Sequence, residues 1–165
     1  MEISVRLIIY VCSVLISFKY AGGYWVVGPV FGLAVVCWDS NTFRSFAAKK
    51  HLAFLAASSL IYALVYHISR QNWNHGSDFM DSVAGSLPVA VITGSILLPL
   101  AHKVFLSAGW KAVRQTIPLL VASYYLVTAV SWAKDVSGVT WDINFLMVAI
   151  AAWQGAYLYS FFLKK

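Results

Sequence analysis

Residues 51–105 hold the stretch that decides how this chain is read. HLAFLAASSLIYALVYHI (51–68) and AGSLPVAVITGSILLPLAHKVF (84–105) are apolar runs, and SRQNWNHGSDFMDSV (69–83) between them is the most polar loop in the sequence. A bilayer core of about 30 Å takes roughly 20 helical residues, so each run is long enough to cross one. In hydrocarbon the backbone must pair its own N–H and C=O groups, which selects helices. The stretch predicts a transmembrane hairpin, and the flanking sequence repeats its pattern.

Composition points the same way. The 165 residues are 61% hydrophobic and only 11% charged, with a mean hydropathy of +0.75. That leaves too little polar surface for a soluble globule. Further apolar runs at 4–18, 24–38, 117–132 and 143–162 make six short helices that use nearly all of the chain. The expected fold is therefore all-α: a polytopic integral membrane helix bundle of about six transmembrane helices, a single transmembrane domain over 1–165. No stretch remains for a soluble catalytic domain. The first run is expected to stay uncleaved, because Lys19 and Tyr20 stand where small residues precede a signal-peptide cleavage site.

Charge supplies a second test of this topology. Arg6, Arg44, Lys49, Lys50, Lys103, Lys111, Arg114, Lys164 and Lys165 all fall on one side of a six-span arrangement. Lys19, Arg70 and Lys134 fall on the other, with Asp78, Asp81, Asp135 and Asp142. Cytoplasmic loops carry the excess of Lys and Arg, so both termini are expected in the cytoplasm and the 73–81 loop outside. The net charge of +6 is thus a topology signal. The expected partner is the lipid bilayer, that of a bacterial inner membrane, with other membrane subunits or a homo-oligomer as further partners and no nucleic acid. Trp and Tyr residues cluster near the span ends, where amphipathic rings prefer the headgroup layer; Trp153 is the exception. Cys12 and Cys37 lie inside spans without CxxC spacing and read as small hydrophobes.

Polar residues inside the spans recur at helical spacing. Arg6, Tyr10, Ser13 and Ser17 share one face of the first span; His51, Ser58, Tyr62 and Ser69 share a face of the third. Ser95, Pro99 and His102 form a row on the fourth, Tyr124, Thr128, Ser131 and Asp135 on the fifth, and Gln154 stands near the middle of the sixth. Any one row is explained by hydroxyls bonding to carbonyls of their own helix. Rows on five helices point to a shared polar interior, because lipid offers no hydrogen bonds. Gly28 and Gly32 form a GxxxG pair suited to close helix packing. Pro99 frees the Ser95 carbonyl and predicts a kink.

The function expected from this pattern is binding or transport of a small solute through the polar interior. Tyr10, Ser13, Tyr62, Ser95, Tyr124, Thr128 and Gln154 would line it, with the 74–81 loop as a lid. An alternative is a haem b-binding electron-transfer subunit using His51 and His102, with His67 toward the outside. Against it, both imidazoles read more simply as interfacial residues beside Lys49, Lys50 and Lys103. A third reading is an accessory subunit of a larger membrane complex. His67, Arg70, His75, Asp78 and Asp81 form the densest titratable group but lack a metal-ligand spacing. No catalytic or nucleotide-binding motif is present to point to an enzyme.

Overall fold

The computed structural model describes residues 3–19, 24–39, 49–70, 86–137 and 145–163. Among them are six α-helices and no strand: α1 (Ile3–Lys19), α2 (Tyr24–Asp39), α3 (Lys49–Arg70), α4 (Ser86–Leu106), α5 (Trp110–Ser137) and α6 (Phe145–Leu158), the last closing in a π-helical turn, Tyr159–Leu163. Each helix falls on one of the apolar runs, as hydrophobic periodicity without internal turn signals requires.

The largest departure from expectation is α5, which begins at Trp110 rather than at 117 and runs on to Ser137. Lys111 and Arg114 look like loop residues in sequence. A helix end at the headgroup layer accepts the two cations, and Pro118 removes only one hydrogen bond from the ladder. Pro29 and Pro99 likewise lie inside α2 and α4. The turn between α4 and α5 is short: Ser107 takes φ 59°, the left-handed conformation that ends helices, and the Val113 N–H donates to the Gly109 carbonyl at 3.2 Å.

Each helix packs on the next in sequence, and α6 packs back on α1, so the six close into a ring. Phe31, Phe54, Leu98, Leu120 and Tyr157 fill the middle, all fully buried. The closest approach is between α2 and α3. A Cβ on Gly28 would stand 2.7 Å from the Ser59 Cα, and one on Gly32 would stand 3.0 Å from the Ser58 Cβ. Only hydrogen fits at Gly28, where the neighbour is backbone, and at Gly32 the Ser58 and Leu55 side chains leave little room, so the GxxxG pair sets the α2–α3 spacing.

The outer surface is apolar. Leu60, Val104 and Leu126 are 71%, 69% and 68% exposed, and Leu7, Ile8, Leu15 and Val130 also face outward. Water would penalise such a surface and acyl chains would not. By length and composition α3, α4 and α5 are each apolar enough to cross a membrane, over Lys49–Ile68, Pro88–Leu106 and Trp110–Val130; α2 carries a shorter apolar stretch, Val26–Asp39.

Candidate functional site

The site is built on α6, whose one amide side chain between Phe145 and Leu158 is Gln154. Gln154 is 1% exposed, and burying a primary amide is costly unless its bonding positions are filled. They are filled from α1. Ser13 Oγ donates to Gln154 Oε1 at 3.0 Å, and Gln154 Nε2 donates to Ser17 Oγ at 3.0 Å. Tyr62 of α3 lies alongside, its ring against the neighbouring Trp153. One turn away, the Tyr10 hydroxyl donates to the Ala151 carbonyl at 2.7 Å and rests over Gly155. The α1 row therefore faces α6 along its length, as four-three-four spacing on a helix requires.

A second contact joins α6 to α4. Trp153 Nε1 donates to Ser95 Oγ at 3.2 Å, a polar partner within the bundle for a tryptophan that stands in the middle of its apolar run. The Trp153 ring packs edge-on against Tyr62 and near Phe31. From there an aromatic column leads toward the end of the bundle: Phe31, Tyr157, His102, Phe161 and Phe162, with neighbouring ring centres 4.0 to 5.8 Å apart. His102 Nδ1 and the Tyr157 hydroxyl are 2.9 Å apart, and that hydroxyl also donates to the Leu98 carbonyl at 3.4 Å.

Of the seven lining residues expected from sequence, five thus gather around α6: Tyr10, Ser13, Tyr62, Ser95 and Gln154. The α5 row does not join them. Thr128 Oγ1 donates to the Tyr124 carbonyl of its own helix at 3.0 Å, and the Tyr124 ring meets Tyr125. Ser17, Trp153 and Tyr157 belong with the five. Ser17 was legible as the last member of the α1 row, whereas nothing in the sequence links Trp153 to Ser95. The 74–81 loop, with His75, Asp78 and Asp81, lies outside the described residues; His67 is exposed.

The two histidines do not sit exposed beside their lysine neighbours. Both are buried, because each finds a polar partner inside. His51 Nε2 is 3.1 Å from Asp39 Oδ2, and Lys50 Nζ reaches the same oxygen at 3.6 Å. Asp39 is the residue sequence reasoning missed; its signal was a single acid at the end of α2 on the cation-rich side. A haem does not fit between these imidazoles. Phe54, fully buried, stands 5.6 Å from His102, and Phe161 stacks on the other face of that ring at 4.0 Å. Among the described residues no cluster of three or more His, Cys, Asp or Glu could hold a metal ion.

Chemically the α1–α3–α6 seam offers hydroxyls and one amide without a formal charge. It can exchange hydrogen bonds, but it contains no paired acid and base for proton transfer. Comparison with known proteins returns no match: no family model matches the chain, and neither a curated protein nor a solved structure is significantly similar to it.

Proposed function

We propose that this is a multi-pass membrane protein that binds or passes a small neutral solute, rich in hydroxyl or amide groups, at the seam between α1, α3 and α6. Six spans with both termini in the cytoplasm of a bacterial inner membrane accommodate the cation-rich end of the bundle. The observation that carries the reading is the pair of bonds on Gln154: one buried amide held by Ser13 and Ser17. Interhelical hydrogen bonds in membranes average about 0.6 kcal/mol each. With the Tyr10 bond to the Ala151 carbonyl, three of them amount to roughly 2 kcal/mol, which a solute offering the same bonds can repay. α1 is the element that moves, because its packing on α2 and α6 is the weakest around the ring.

Cysteine accessibility tests this. In a Cys12→Ala, Cys37→Ala background reconstituted in vesicles, Ser13→Cys and Ser17→Cys are expected to react with a small methanethiosulfonate reagent, while Leu98→Cys in the fully buried core stays unmodified. Equal silence at all three positions would mean a permanently sealed seam, and the solute reading would fall.

A further inference from the structure

We infer that the end of the bundle carrying Arg6 and Trp38 binds the headgroup of an anionic glycerophospholipid. The inference rests on the membrane reading above and is independent of the polar seam.

Arg6 lies near the start of α1, and its guanidinium carbon is 5.9 Å from the centre of the Trp38 ring. The ring is pinned there, because Trp38 Nε1 donates to the Arg6 carbonyl at 3.2 Å. Stacking a guanidinium on an indole orients its edge without satisfying its N–H donors. Arg6 Nε is buried and has no hydrogen-bond partner among the described residues. A charged donor left in that state has given up its hydration without return, so an acceptor is called for. Asp39, the one acid at this end among the described residues, is already shared by His51 and Lys50.

Two features fix the chemistry of the missing acceptor. The same end holds Lys49, Lys50, Lys103, Lys111 and Arg114 on the first or last turns of their helices, with Lys103 set 5.5 Å from the Trp110 ring. That field favours an anion over a zwitterion. Next to Arg6, the outward face of α1 is apolar through Leu7, Ile8, Val11 and Leu15. A phosphodiester at Arg6 can therefore lay its acyl chain down this face, which free phosphate cannot do. A guanidinium suits such an oxygen pair because its donors form a planar fork.

The test uses the full chain in a neutral maltoside, titrated with phosphatidylglycerol, phosphatidylcholine or inorganic phosphate, read by thermal midpoint and by fluorescence. Phosphatidylglycerol is expected to raise the midpoint well above the other two. Arg6→Gln should weaken that response about tenfold, Arg6→Lys should restore only part of it, and Lys19→Gln, at the other end of α1, should change it little. The inference is overturned if phosphatidylcholine or phosphate does as well as phosphatidylglycerol, or if Arg6→Gln responds like the parent. It is also overturned if Glu2→Gln reproduces the Arg6→Gln destabilisation in lipid-free micelles, which would place the acceptor in the chain itself. Alkaline carbonate separates the two readings. A chain stripped from vesicles of either lipid sinks the membrane assignment, whereas a chain retained by both, with no Arg6 effect, sinks the lipid site alone.

Discussion

The α2–α3 seam and the α1–α6 seam hold helices together by different physics. At the first, Gly28 brings backbone against backbone and Gly32 lies against the Ser58 and Leu55 side chains, and the bond at their level, Ser58 Oγ to the Gly28 carbonyl at 2.9 Å, adds to contact already made by shape. At the second, a tyrosine, two serines and a glutamine do the joining. In lipid there is no hydrophobic force between helices, so dispersion and hydrogen bonding must each carry the association somewhere. Dispersion across a tight backbone contact has no substitute once the gap opens. A hydrogen bond has one, since a solute or a water can supply the same partner. The difference assigns a fixed wall to α2–α3 and an exchangeable one to α1–α6.

The strongest way to break this comparison is Gly28→Leu. Its Cβ alone would stand 2.7 Å from the Ser59 backbone and 3.1 Å from the Tyr62 Cβ, so α2 and α3 must part. A loss of about 3 kcal/mol is expected, enough to remove most folded protein from detergent extracts. Gly28→Ala should cost about 1–2 kcal/mol for the same reason. A variant as stable as the parent in thermal unfolding would show that the wall is loose.

Gln154→Leu comes next. It removes the bonds to Ser13 and Ser17, but the two serine hydroxyls can turn to carbonyls of their own helix. The expected loss is about 1–2 kcal/mol, with the fold retained. Freed of these ties, α1 should also exchange amide hydrogens faster than α3 does, which hydrogen-exchange mass spectrometry can read. Uniform exchange across both helices would contradict the assignment of α1 as the mobile element. A Ser17→Ala, Gln154→Ala cycle sharpens the point: a coupling near 0.6 kcal/mol marks an exchangeable bond. A coupling several times larger would mark a permanent lock.

How far these seams could be read in advance follows from what each is made of. The GxxxG pair and the polar rows are patterns along one helix, so periodicity reveals which residues share a face. It does not reveal which helix that face meets. Tyr10, Ser13 and Gln154 were legible as members of a polar interior because their spacing or their depth in a span is unusual. Tyr124 and Thr128 have the same spacing, yet Thr128 spends its hydroxyl on its own backbone, and nothing in the α5 sequence distinguishes the two outcomes. His51 and His102 were read by their lysine neighbours along the chain, whereas Asp39 and Tyr157, which account for their burial, come from other helices. The start of α5 was misplaced because Lys111 and Arg114 were read as loop cations, although the helix already includes both.

The finest discrimination between the two seams comes from making one substitution in both. A Cβ on Gly155 would meet the Tyr10 hydroxyl at 3.0 Å and the ring only at 3.5 Å and beyond. What it crowds is the far end of a flexible side chain, not a backbone. Gly155→Ala should therefore cost less than about 0.5 kcal/mol, with a gain in helix propensity offsetting the lost Tyr10 bond. Adding Tyr10→Phe tests the mechanism: if alanine has already displaced the hydroxyl from the Ala151 carbonyl, removing that hydroxyl changes the unfolding midpoint no further, whereas in the parent it lowers it. If Gly155→Ala costs as much as Gly28→Ala, the α1–α6 seam is as rigid as its counterpart, and α1 then has no freedom to admit a solute.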